Sequence, residues 1–443
     1  MSYYSIYKMS FTLPKEINYS SLPSLPAGSQ CIPQSLLPIN ASTFAVQSGT
    51  LIQFDLPATG YLIPDSMYLR YKYAVDGAGI SAIRSTPATA PFQRFETIFG
   101  SQTVESINNF NQIQNMLINS SMGVSEKYGS SLGYRSTVSA SPGNEYFDGK
   151  ILNINEIGSM SFPIRNTLLT SANKLVPLGF MPSVRVQFTL DNISNVFAGA
   201  TTAITASSEN GILAQPALTI PNGFTLSNVQ LCYRTVQFGQ EVDDMVRSMG
   251  EKIFIKSSSF TNAGSNLATG SIGTLEIVYN QRLASIKSLF LHSSSSSFNG
   301  IFDSFNLSPL SEYSFNIGGR VFPPRPITSE NALLELKQAI GSLLDKTNQS
   351  SINPLEFSRT LGTDSSLIAP AKFYVGCNTE VLSRYKNMDS SVLLSGISTQ
   401  SSPISVRINI PTSTSSVCTL NLICHYDAIL EIDVASKSAY VRQ

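Results

Sequence analysis

Apolar and polar residues alternate along most of this chain in short runs with a period of two. Ile52, Phe54 and Leu56 fall on one side of a predicted strand, and Gln53 and Asp55 on the other, because successive Cβ atoms of a strand point to opposite faces. Runs of the same kind recur at 67–75, 92–99, 151–157, 184–190, 224–238, 275–279, 286–291, 313–317, 373–375, 406–410 and 420–434. The cleanest sets Val184, Val186, Phe188 and Leu190 against Arg185, Gln187, Thr189 and Asp191, the pattern of a strand with one buried and one solvated face. Many short strands with turn residues between them predict β-sandwiches. Residues 1–45 differ: Pro14, Pro23, Pro26, Pro33 and Pro38 forbid a long helix or a central strand, so an N-terminal arm is expected there.

Two segments take helical spacing. Phe110, Ile113 and Leu117 follow a cap at Asn108 or Asn109; Leu333, Leu336 and Ile340 follow Thr328 and Ser329. The three pairs are each 223 residues apart, close to half the 443-residue chain. The strand at Val184, Val186 and Phe188 recurs as Val406, Ile408 and Ile410 at a spacing of 222, with Arg185 matched by Arg407. Aromatic strands end at Gly100 and Gly319, 219 apart. Four landmarks in one order at nearly one spacing indicate a duplicated domain. The expected organisation is an arm at 1–45, a first repeat at 46–238, a linker at 239–252 and a second repeat at 253–443. Each repeat is a β-sandwich of about 190 residues with one helix inserted between its strands.

Composition narrows the function. Twenty-nine basic side chains balance 29 acidic ones, and charged residues make up 13% of the chain. There is no long-range field for gripping nucleic acid and no polybasic arm to neutralise phosphates. So little mutual repulsion leaves the chain poorly protected against self-association unless association is its purpose. The opening MSYYSIYKMSFTLP lacks the basic and continuous apolar regions of a signal peptide, so synthesis in the cytosol is expected. Cys31, Cys232, Cys377, Cys418 and Cys424 contain no CxxC pair and read as reduced, mostly buried side chains.

Catalytic patterns fail one by one. His292 precedes Ser293 to Ser297, which reads as a flexible turn, and His425 adjoins Cys424 on a strand, where neighbours face opposite ways and cannot form a thiolate–imidazole pair. Gly129-Ser130-Ser131-Leu132-Gly133 fits GxSxG but follows a helix, where a nucleophile elbow needs a strand. Gly77-Ala78-Gly79 lacks the third glycine and the helix of a dinucleotide fingerprint. Glu241, Asp243 and Asp244 are the densest acidic cluster and read as a solvated turn between the repeats. No catalytic, cofactor-binding or metal-binding residue is therefore assigned, and no cofactor is expected.

A resemblance rests on particular stretches: Gln53-Phe54-Asp55-Leu56-Pro57 with Met67-Tyr68-Leu69-Arg70; Lys174-Leu175-Val176-Pro177-Leu178 leading into Val184-Arg185-Val186-Gln187-Phe188; Phe224-Thr225-Leu226-Ser227-Asn228-Val229; and Phe315-Asn316-Ile317-Gly318-Gly319 before Phe322-Pro323-Pro324. In this order they resemble the double jelly-roll major capsid proteins, particularly those of polinton-like viruses and virophages. The resemblance implies an all-β fold of two tandem eight-stranded jelly-roll β-sandwiches, each with one inserted short helix. It implies a non-enzymatic homotrimer, a pseudo-hexameric capsomer that tiles an icosahedral shell in the virion after synthesis in the host cytoplasm. Its partners would be itself, neighbouring capsomers, and penton and minor or cement capsid proteins, without sequence-specific nucleic acid binding. An internal membrane is left open. Two other readings stand beside it: a tandem β-sandwich carbohydrate-binding protein, and a penton or spike component of the same kind of virion. Pentons of this lineage usually carry one jelly roll, so the duplication speaks against the last.

Overall fold

The computed structural model describes residues 28–77, 79–84, 86–123, 126–127, 131–133, 149–198, 219–248, 250–295, 302–341, 350–352, 357, 371–380, 394–412, 414 and 417–443. In the first half the strands are β1 (Gln30–Leu36), β2 (Thr43–Ala45), β3 (Leu51–Leu56), β4 (Tyr61–Leu62), β5 (Tyr68–Asp76), β6 (Ser81–Arg84), β7 (Phe92–Phe99), β8 (Gln102–Ile107), β9 (Gly149–Leu152), β10 (Ile157–Pro163), β11 (Val176–Pro177), β12 (Val184–Leu190), β13 (Phe197–Ala198) and β14 (Gly223–Gln237). The second half contains β15 (Lys252–Leu267), β16 (Gly273–Tyr279), β17 (Ile286–Ser295), β18 (Glu312–Ile317), β19 (Arg320–Ile327), β20 (Val375–Asn378), β21 (Ile404–Ile410), β22 (Cys418–Asp433) and β23 (Ser438–Arg442). Three helices are labelled: α1 (Phe110–Ser121), α2 (Gln240–Ser248) and α3 (Ala332–Ile340).

The second half is a complete jelly roll. Naming β15 to β22 as strands B to I, one sheet runs β15-β22-β17-β20, or B-I-D-G, and the other β16-β21-β18-β19, or C-H-E-F. The first half repeats this order. Its C-H-E-F sheet is β3-β12-β7-β8; in its B-I-D-G sheet, β1 and β2 both pair with β14, which pairs with β5, which pairs with β10. Both E–F connections are two-residue turns with glycine at positive φ, Gly100 at 60° and Gly318 and Gly319 at 58° and 79°, a conformation that side chains with a Cβ resist. α1 and α3 both lie between strands F and G. The core of the first roll is aromatic, with Phe54, Phe92, Phe95 and Phe110 gathered around Phe188 at ring distances of 5.2–6.3 Å. That of the second is aliphatic, built from residues such as Leu291, Val406, Ile408 and Leu422.

Several expectations shift. β1 and β2 stand inside the segment expected as an arm and together form strand B of the first roll; Pro33 fits because this strand lies at a sheet edge. The expected linker 239–252 contains α2, a surface helix with no buried residue. The H strands correspond at 220 and not 222, since Val184 lies opposite Phe99 and Ile404 opposite Ile317 across equivalent turns. A two-residue slip preserves every face, so periodicity could not detect it. Arg185 therefore matches Ser405; it makes a two-pronged ion pair with Asp55 at 2.7 and 3.2 Å, whereas Arg407 faces Glu276 and Ser314. Ser293 to Ser295 belong to strand β17, and no turn forms there.

Candidate functional site

The seam between the two rolls is the most heavily built polar region among the described residues. It begins with α1, in which every residue from Phe110 to Ser120 is buried. A helix with an apolar stripe against one body and polar residues opposite can be enclosed only if a second body satisfies the polar face. Phe110 stacks on Phe95 at 5.3 Å inside the first roll. On the other face the second roll supplies the partners: Asn421 of β22 donates to Gln112 at 3.1 Å, and Asn115 donates to the Phe302 carbonyl at 3.3 Å and the Tyr374 hydroxyl at 3.2 Å. The carbonyl of Asn119 accepts the backbone N–H of Ser351 at 3.0 Å. Asn109 occupies the N-cap position in the left-handed region, φ 48°, without a side-chain cap bond, a backbone that asparagine tolerates better than most residues.

Beside α1, strand β8 presses Glu105 against β15. Its carboxylate is 2% exposed and accepts hydrogen bonds from Thr97 at 2.7 Å, from the backbone N–H of Leu168 at 2.7 Å and from Ser259 of the second roll. No cation pairs with it among the described residues, and burial pushes its pKa up against the pull of these three donors. Ser257 donates to the Leu168 carbonyl, and Asn173 N–H to the Lys256 carbonyl at 2.9 Å. A polar groove of about 540 Å³ follows this line, bounded by Asn166, Ser171 and Asn173 from the first roll and Lys256, Ser258 and Lys287 from the second. Beneath it Asp427, fully buried, sits 3.7 Å from Lys287 and 4.0 Å from Lys256 and accepts Ser285 at 2.7 Å and the N–H of Ser395 at 2.8 Å.

This seam explains burial that alternation did not predict. β22 and β17 are buried on both faces, because the roll interior covers one and the seam covers most of the other. His292 is enclosed, donates to the Phe302 carbonyl at 3.5 Å and stacks on Tyr374 at 5.9 Å; burial pulls its pKa down to about 4. His425 stacks on Phe260 at 4.6 Å. Burial pushes the Cys424 thiol far up, away from a reactive thiolate. The five cysteines are free thiols, with Cys31 exposed and the others buried. Of the GxSxG stretch, Gly129 and Ser130 lie outside the described residues, and Ser131 bonds to Ser161. In the Gly77-Ala78-Gly79 stretch Ala78 is also outside them. Asp243 is occupied by the Tyr61 hydroxyl at 2.7 Å, and Asp244 faces Arg247 at 3.5 Å. Among the described residues no group of three His, Cys, Asp or Glu side chains is placed to hold a metal ion. Sequence reasoning missed Glu105, Asp427 and the polar face of α1; the signal available was α1's asparagines and glutamines, which a one-sided surface helix would also carry.

No protein-family model and no curated protein matches the sequence. Solved structures do match in fold. The PBCV-1 virus capsid protein aligns with a TM-score of 0.61 and 11% identity over 96% of this chain and 99% of that one. The Faustovirus major capsid protein aligns at 0.60 and 10% over 95% and 93%, and that of mavirus at 0.51 and 10% over 100% and 95%. With both rolls included in every alignment, the chain has the double jelly-roll fold found in these viral major capsid proteins.

Proposed function

We propose that this chain is a viral major capsid protein, a non-enzymatic building block that associates as homotrimers with a pseudo-hexagonal outline and tiles an icosahedral shell. The observation that carries the reading is the whole-chain likeness: two jelly rolls in tandem, in the order and proportions of known capsid subunits, with 93–99% of those chains covered. The physics is consistent with it. Two similar sandwiches side by side give one subunit two similar flanks, so threefold symmetry produces a near-sixfold outline that packs in a plane. A chain with net charge of zero permits many shallow lateral contacts without a repulsive field. In this reading the protein resides in the virion, contacts neighbouring capsomers, pentons and minor proteins, and makes no sequence-specific contact with nucleic acid. Light scattering and electron microscopy of the purified protein test it: trimers with a hexagonal outline are expected, and a stable monomer at micromolar concentration would overturn the reading.

A further inference from the structure

Beneath the seam groove the second roll buries a lysine, an aspartate and a glutamate side by side. Asp427 stands on β22 with its side chain fully enclosed, while Lys287 on the adjacent β17 and Glu380 just after β20 have side chains only 8% exposed. A bulge places the lysine there. Ile286 lies opposite Tyr426 and Ser288 opposite His425, so Lys287 is the extra residue between them, freed from the pairing that would otherwise fix its direction. Backbone bonds hold the surroundings: the Thr379 N–H donates to the Lys287 carbonyl at 2.9 Å, the Asp427 N–H to the Ser285 carbonyl at 2.9 Å, and Ile286 and Ile397 exchange bonds of 2.8 and 2.9 Å. The two carboxylate oxygens of Asp427 are unequal. Oδ2 accepts from the Ser285 hydroxyl at 2.7 Å and the Ser395 N–H at 2.8 Å, whereas Oδ1 accepts no hydrogen bond among the described residues and faces Lys287 Nζ at 3.7 Å and Lys256 Nζ at 4.0 Å. Lys287 Nζ is also 3.5 Å from Glu380 Oε1, so it stands against both carboxyl groups, beyond the hydrogen-bond length of about 2.7–3.2 Å to either. The Ser395 hydroxyl lies between the two acids, 2.6 Å from Glu380 Oε1 and 3.2 Å from Asp427 Oδ2.

We propose that Lys287 and Asp427 condense spontaneously in the folded chain to an amide between Nζ and Cγ, with Glu380 carrying the protons, and so join β17 covalently to β22. The unlinked side chains are the state that the distances above describe. Glu380 passes one proton from the Lys287 ammonium to Oδ1, which leaves a free amine beside a neutral carboxyl group. The amine attacks Cγ, and Oδ2 takes up the developing negative charge between Ser285 and the Ser395 N–H, donors already aimed at it. A second proton follows from Nζ to Oδ1, and the C–Oδ1 bond breaks with its electron pair on oxygen to release one water. An ammonium and a carboxylate thus become an amide and water, so no oxidant, reductant or cofactor enters the balance and Glu380 ends as it began. Burial favours the product. An enclosed lysine–carboxylate pair carries a desolvation penalty that the neutral amide avoids, and Lys256 and Glu380 stay behind with opposite charges. The polar groove lined by Lys256 and Lys287 gives the water a way out.

The bond is read by mass, whatever the oligomeric state of the protein. Purified, folded wild type should be lighter than its sequence by one water molecule, and trypsin should yield a branched peptide in which 283–320, uncut at Lys287, is joined to 408–437. Lys287→Met should have the full mass and give linear peptides. Glu380→Gln, which keeps an acceptor for Ser395 but cannot carry a proton, should also stay unlinked, whereas Lys256→Met should link as wild type does. Circular dichroism checks the fold of each variant, and the wild-type measurement decides by itself should one fail to fold. Because a linked chain stays looped in detergent, wild type should also migrate faster than Lys287→Met on a denaturing gel. A folded wild type at full mass, a bond mapped to Lys256 or to Glu380, or a Glu380→Gln chain that still links would each overturn the proposal.

Discussion

At the scale of single residues the seam depends on buried polar atoms that have partners only when both rolls are in place. Glu105 shows how. Its carboxyl is harder to ionise in the fold than in the unfolded chain, where a glutamate titrates near 4.3. The contribution of Glu105 to stability is therefore greatest below that value, falls as pH rises between it and the raised native value, and is level above. Glu105→Gln keeps an oxygen for Leu168 and Ser259 and turns its amide to the Thr97 hydroxyl. Relative to wild type, the melting temperature of this variant should rise as pH increases from about 4. A variant with an unchanged pH profile would show that Glu105 does not titrate in this range. Asp427→Asn should be more damaging, by about 3–5 kcal/mol, because the buried carboxylate that faces both Lys256 and Lys287 is lost, and Glu380 at 3.5 Å from Lys287 compensates only in part. Urea denaturation measures it; a loss under about 1 kcal/mol would show that water reaches the cluster.

At the scale of elements, close backbone approach and edge pairing decide what can change. Helix α3 lies on strand β20 so tightly that a Cβ on Gly376 would come within 2.8 Å of the Leu336 Cα and 3.0 Å of the Ala339 Cβ. Gly376→Ala should cost about 1–3 kcal/mol by overpacking, read as a lowered melting temperature. Strand B of the first roll makes a sharper test. Removing residues 1–27 leaves every described strand intact, so the melting temperature should hold. Removing residues 1–40 deletes β1, uncovers the edge of β14 from Leu231 to Gln237 and invites pairing with foreign strands. Aggregation and a lower melting temperature are expected of that truncation alone. Equal behaviour of the two would place strand B outside the stabilising sheet.

At the scale of the whole molecule the two rolls should unfold together. Separation would strand the polar face of α1, the Glu105 carboxylate and the outer face of β22, each satisfied from the other side. Calorimetry should show one cooperative transition, and a chain cut within α2 and expressed as separate rolls should precipitate. Two resolved transitions would mean that the seam contributes less than either core.

Period-two alternation fixed most strands and their faces, since an apolar residue every second position has no other stable use, and the helices at Phe110 and Leu333 marked the duplication because no other segments broke the pattern so clearly. Turn chemistry placed both E–F hairpins through their glycines. Other features were illegible locally. Strand B hid among prolines, because an edge strand tolerates them and edge position is a property of the sheet. The register of the H strands slipped by two residues without changing a single face. Above all, nothing in the residues of α1 and α3 told which would be enclosed and which left open. That was decided by where the second roll sits, since burial of a polar group is favourable only once the partner that bonds it has arrived.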